Sequence, residues 1–334
     1  MHPRFPLPAR LTACAALSAA ICLSIAAAFA PGAHAQAAAA ETTLGTQGGP
    51  VPLKERAQPA NALIVNGQPY LIDAGNGVAR QLVLAGIRYT DIRQIFITHH
   101  HDDHNADLGT LMGLIWSIGV PAPVTAYGPA GTQEFMEGFK RAFAVNEKIR
   151  KADFPELYKT SAAEAFKAVD IGDARTAKTV YQDKNVQVEA IENCHYHFAP
   201  GSAAPVTESY AYRFRTATKT IVFSGDTGPC EALVDFARGA DILVHEVIAL
   251  DVLEAEARAH GIPQARLDNM MRHMREDHST PEVVGELAAK AGVGMVVLSH
   301  VIPGTESVPD KAYTEGVSRH FPGRVVVARD LMRF

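Results

Sequence analysis

Of the 334 residues, 47% are hydrophobic and 20% charged, and the formal net charge is −5. An acidic balance argues against a long polyanion such as nucleic acid as the usual partner. Arg4 and Arg10, the apolar Leu11–Ala30 and the triplet Ala33-His34-Ala35 read as a signal peptide, residues 1–35, cleaved before Gln36. Cleavage would remove two basic residues and no acid, taking the charge to −7. The expected location is periplasmic or secreted, with no stable membrane insertion after cleavage. Residues 36–40 read as a short linker. Residues 41–334 are expected to form one domain, because no Pro/Ser-rich linker or fixed-period repeat divides them. Cys14 and Cys22 leave with the leader. Cys194 and Cys230 remain, either paired in an oxidising compartment or as two buried thiols.

Within the mature chain, Ala62–Val65 and Tyr70–Asp73 flank Asn66-Gly67, a hairpin signal. Asn76–Gly86 has a helical pattern, and Asp91–Thr98 reads as a strand. Helix Leu108–Ile118, strand Val124–Gly128 and the amphipathic helix Gln133–Lys151 come next. Ala152–Ala177 has little periodicity. Strands are then expected at Val186–Ile191, Tyr210–Phe214 and Thr220–Ser224, a helix near Glu231–Arg238, and a strand at Asp241–Val247. A long helical stretch breaks at Gly261-Ile262-Pro263. Ser279-Thr280-Pro281-Glu282 caps a helix over Pro281–Ala291, which Gly292 ends ahead of strand Met295–Ser299. Helices interspersed with hairpin-joined strands predict a layered α/β fold with functional residues at strand ends.

Four of those strand ends carry chemistry. The first leads into Thr98-His99-His100-His101-Asp102-Asp103-His104, an H-x-H-x-D-H run. Alternation in extended backbone points His99 and His101 the same way, and the following turn brings round Asp103 and His104. Imidazoles with a carboxylate suit zinc or a similar ion; the bland alternative is a His-rich surface tract. The other three ends lead to Cys194-His195-Tyr196-His197, to Gly225-Asp226-Thr227 and to His300. His195 is favoured over His197. His100 and Asp102 should point away from the metal. Asp73, and His245 with Glu246, could orient ligands, although a buried polar pair at strand ends is the plainer account. Met270, Met271, Met274 and His273 could line an apolar pocket, with core packing the plainer reading.

At this point the chain resembles the metallo-β-lactamase superfamily, and within it the ribonuclease Z and arylsulfatase-like branch. Thr43–Pro50 is similar to that branch's LGT-x-GG-x-P opening, Leu71–Gly75 to its second-strand signature, Ser224–Thr227 to its bridging-aspartate motif and His278-Ser279-Thr280 to its HST motif. The resemblance implies a four-layer αββα sandwich and two divalent metal ions, zinc first with manganese or iron also fitting. His99, His101 and His195 would hold one, Asp103, His104 and His300 the other, with Asp226 bridging. Asp103 and His278 would be catalytic, His278 as acid or stabiliser beside a metal-activated hydroxide.

The expected substrate is a small phosphodiester or sulfate ester, hydrolysed outside the cytoplasm. The same centre would also suit a lactone, or a non-catalytic metal-stabilised binding protein. No nucleic acid is expected: the mature chain is acidic, and Ala152–Ala177 is short and mixed in charge where a basic tRNA-gripping arm would sit. A homodimer is compatible with this reading.

Overall fold

The computed structural model describes residues 39–119, 123–198, 201 and 207–334. The expected signal peptide and residues 36–38 of the expected linker lie outside them. Ala39 is buried and the first strand opens at Ala40, so the linker stops short of residue 40. The cause is backbone pairing: Glu41 exchanges hydrogen bonds with Phe334 at 3.2 and 2.9 Å.

Among the described residues two sheets form. The first runs in the order β1 (Ala40–Gly45), β2 (Ala60–Val65), β3 (Gln68–Ile72), β4 (Gln94–Phe96), β5 (Val124–Gly128) and β6 (Phe166–Asp170). The second contains β7 (Lys178–Gln182), β8 (Gln187–Glu192), β9 (Tyr210–Arg215), β10 (Thr220–Phe223), β11 (Ile242–Ile248), β12 (Met295–Ile302) and β13 (Arg324–Val327), also in sequential order. In each sheet the early pairs are antiparallel and the later ones parallel. The β2–β3 hairpin turns on Asn66 and Gly67, whose φ values of 51° and 79° match the strand twist.

The helices are α1 (Val78–Leu84), α2 (Asp102–Asn105), α3 (Leu108–Ser117), α4 (Thr132–Asp153), α5 (Ala162–Ala165), α6 (Glu231–Phe236), α7 (Leu250–Ala259), α8 (Gln264–Asp277), α9 (Pro281–Ala291) and α10 (Lys311–His320). Among the described residues none is long and apolar enough to cross a membrane. Three buried clusters separate four layers. Leu111, Met112 and Met136 join α3 and α4 to the first sheet around Ile95 and Ala126. Ile72 and Phe96 face Phe214, Phe223 and Val244 between the sheets. Leu233, Val284 and Val317 join α6, α9 and α10 to the second sheet around Val222 and Leu298. The stack is therefore helix–sheet–sheet–helix, the αββα architecture. Phe96 is central, meeting the rings of Tyr127, Tyr181, Tyr212 and Phe214 at 5.2–5.8 Å.

This topology sets where chemistry can happen. β8 and β10 are both antiparallel to β9, and β12 reaches the direction of β10 through β11. Their carboxyl ends therefore share one edge of the second sheet. β4 is shorter than the strand expected over Asp91–Thr98, because a 3-10 turn occupies Tyr89–Asp91 and the chain leaves the sheet after Phe96. There the Thr98 carbonyl accepts from Tyr210 N–H of the opposite sheet at 2.9 Å. That crossing delivers the His run to the edge where the other strands end.

Candidate metal centre

His99 follows β4 and is fully buried, and Thr98 Oγ1 lies 3.0 Å from its Nδ1. Its Nε2 faces His101 Nδ1 at 3.1 Å, and His195 Nε2 approaches the same atom at 3.2 Å. The Asp277 carbonyl accepts from His195 Nδ1–H at 3.0 Å, which leaves Nε2 with a lone pair. With an Asp226 oxygen, these three imidazoles place their ligand atoms within 4.8 Å of one another. Burial holds His99 well below the usual imidazole pKa and His195 at about 4, so both rings are neutral and able to donate to a metal.

A second group, Asp103, His104 and His300, meets the same limit. Asp226 joins the two, with Oδ1 3.3 Å from His104 Nε2 and Oδ2 3.1 Å from His300 Nε2 and 3.8 Å from His99 Nε2. Asp73 fixes the His104 tautomer by accepting from Nδ1–H at 2.8 Å. His104 Nε2 and Asp226 Oδ1 are both buried without a hydrogen-bond partner. Burial opposes a proton on His104, but Asp226, Asp103 and Asp73 outweigh it and raise its pKa well above the usual imidazole value, so the site draws in positive charge of the kind a divalent ion would supply. Burial opposes a proton on His300, but Asp226 and Asp103 outweigh it and raise its pKa to about 10. Asp103 itself is pushed upward by burial, yet His104 and His300 prevail and hold it at about 2. The residues fit divalent ions.

The opening glycines serve the same point. A Cβ on Gly48 would collide with Ile302 and sit 2.9 Å from His300 Nδ1. Gly49, at φ 87°, donates its N–H to Asp103 Oδ2 at 3.1 Å.

His278 enters from the end of α8, its ring stacked on His300 at 5.8 Å and 13°. It falls within ligand reach of Asp226 and His300, so geometry alone would also let it hold an ion. Its partner distinguishes it. Buried Glu246 accepts from His278 Nδ1–H, with both oxygens at 3.0 Å, and from Thr227 N–H at 2.7 Å. Burial disfavours the imidazolium, but Glu246 outweighs it and the pair retains a proton above the usual imidazole range.

His100 turns away to Asn105 and Thr132 at 3.2 Å, and Asp102 is exposed. His197 joins Asp277 Oδ1 at 2.6 Å instead of the metal cluster. Met271 packs with Leu267 and Ala257, while His273 reaches Asp277 at the cleft. Cys194 and Cys230 form a disulfide with Cα atoms 5.5 Å apart, next to the strand ends that carry His195 and Asp226. Sequence reasoning held Glu246 as a residue that could orient ligands, but not its pairing with His278, which lies 32 residues away in the chain.

The beta-lactamase superfamily domain matches residues 69–301. With this fold and these His/Asp clusters, the chain belongs to the metallo-β-lactamase superfamily, whose site here is one for divalent metal. Its branch is that of ribonuclease Z. Ribonuclease Z of Mycobacterium bovis (strain BCG / Pasteur 1173P2) is 30% identical over 295 residues, covering 87% of this chain and 96% of the relative. That of Mycolicibacterium paratuberculosis (strain ATCC BAA-968 / K-10) is 31% identical over 295 residues, with the same coverage. Among solved structures, the metallo-beta-lactamase fold protein YhfI from Bacillus subtilis has TM-score 0.62 and 18% identity, covering 89% of this chain and 98% of its own. Human tRNase Z, short form, has TM-score 0.61 and 20% identity, covering 88% and 98%. Likenesses that distant show the fold.

The ribonuclease Z relatives overturn two expectations: a small phosphodiester or sulfate ester as substrate, with its lactonase and non-catalytic alternatives, and the exclusion of nucleic acid. The charge argument failed for a physical reason. The formal count includes Asp73, Asp103, Asp226 and Glu246, buried carboxylates answered inside the site by imidazoles rather than displayed to a substrate.

Proposed function

We propose that this chain is a metal-dependent phosphodiesterase that hydrolyses RNA. The observation that carries the reading is Asp226, one carboxylate set between two groups of ligand atoms at a strand-end edge. His99, His101 and His195 would hold one divalent ion, Asp103, His104 and His300 a second, with Asp226 shared. Zinc suits this donor set, and manganese or iron also fits it. When bound, such ions acidify water to give a nucleophile at neutral pH and offset the phosphate's charge.

Protein groups supply the rest. Asp103 stays ionised and can accept a hydrogen bond from the attacking water. Glu246 holds His278 by Nδ1, so that Nε2–H is the proton available to the departing oxygen. The 30% identity to ribonuclease Z along nearly the whole relative supports RNA as the substrate class. The test is cleavage of an RNA with an unpaired 3′ extension by metal-loaded protein, with and without chelator. Cleavage lost on chelation and restored by metal is expected; intact RNA with both ions bound would overturn the reading.

Location is a separate proposal. The leader-like residues 1–35 and the Cys194–Cys230 disulfide support export of the mature chain. Protein recovered from the exported fraction should begin at Gln36; protein still beginning at Met1 would contradict export.

A further inference from the structure

Beside the metal centre lies a cleft of about 610 Å³ with two unlike walls. One is aromatic. Tyr196 follows His195 directly, its ring 5.1 Å from that ligand and edge-on to His101 at 5.8 Å and 74°. Phe198 stacks on Tyr196 at 5.3 Å and 28°, and yet is 47% exposed. A flat surface thus begins at the metal ligands and ends in solvent, and the chemistry above makes no use of it. The other wall is polar. Asp277 accepts from both His197 and His273, so each ring is fixed by Nδ1 with its other nitrogen directed away from the carboxylate.

Among the described residues that line the cleft there is no lysine or arginine. The described lining thus offers a strand an aromatic face rather than a row of cationic phosphate contacts. A base has the matching features: a broad apolar face and a polar edge. Base–aromatic stacking is tolerant of sequence, and it requires a base that is unpaired.

We propose that Phe198, backed by Tyr196, is the stacking platform for an unpaired nucleobase of RNA flanking the scissile phosphate. This rests on the ribonuclease reading above. It makes the enzyme selective for single-stranded positions and indifferent to which base occupies them.

The test uses metal-loaded full-length protein and a single-stranded RNA, compared with the same RNA made abasic in turn at the nucleotide on either side of the cleavage point. Wild type should cleave the intact RNA at least fivefold better, by kcat/KM, than one of the abasic forms. Phe198→Ala should bring that ratio close to one. Phe198→Leu, which keeps apolar packing without a π face, should do the same, and Phe198→Trp should retain the ratio. A wild type that cleaves intact and abasic RNA equally overturns the platform and leaves the ribonuclease reading standing, as does a ratio that survives in Phe198→Leu. A wild type that cleaves no RNA overturns both.

Discussion

His278 and Glu246 divide one task. The carboxylate is fully buried and already accepts from Thr227 N–H, so its remaining capacity fixes the imidazole tautomer. His278→Ala should therefore keep its metal, measured by elemental analysis, and lose at least tenfold in turnover, a positioned acid typically contributing about 10²–10⁴-fold. Loss of metal would make the residue a ligand, a role its reach to Asp226 and His300 also allows. Glu246→Gln addresses the proton. The pair's raised pKa means the protonated form persists below that value and is lost as pH rises through it. Removing the carboxylate charge should move the alkaline limb of the kcat–pH profile to lower pH. An unmoved limb would assign that titration to another group. At this scale sequence reached a residue's kind and place but not its partner. His195 and His197 looked nearly equivalent until the fold put Asp277 beside the second. Asp277 carried no signal, because its role depends on meeting His197, 80 residues away in the chain.

Between elements, close approach of loops sets the ligand positions. A Cβ on Gly228 would run into the Glu276 carbonyl, and Gly228 N–H donates to the Cys194 carbonyl at 2.9 Å. The loops bearing Asp226, His195 and His278 therefore meet at a residue with no side chain. Gly228→Ala should destabilise by about 1–3 kcal/mol, as overpacking against backbone does, and weaken metal binding as well. A variant with unchanged melting temperature and metal affinity would show that the loops can part freely. Elements with strong patterns were legible: α9 has the bounds its cap and Gly292 gave it, and β5 those of its apolar run. Others were hidden. β1 is buried along most of its length, but its Glu41, Thr42 and Thr43 look polar. β7 is a short edge strand. α10 carries Gly316 mid-helix, where a Cβ would press on Glu282 and Pro281 of α9, so the feature that weakens its helical pattern is the one its packing needs.

For the molecule as a whole, the proposed RNA substrate has to be bound by a protein of net charge −5. With a cleft lined without lysine or arginine among the described residues, few counterions should be released on binding there. The slope of log affinity against log salt should be shallower than about −1.5, corresponding to roughly two phosphate contacts on a single strand. A much steeper slope would place RNA on a basic surface outside this cleft. The fold class followed from spacing and from the family resemblance, whereas the substrate did not, since net charge ignores which carboxylates are buried. The most direct measurement is single-turnover RNA cleavage in ¹⁸O-water, with product ends read by mass spectrometry. One ¹⁸O in a terminal phosphate, no 2′,3′-cyclic phosphate and loss of the reaction on chelation are expected of a metal centre that directs water at phosphorus. A cyclic phosphate free of ¹⁸O, or cleavage indifferent to chelator, would contradict it.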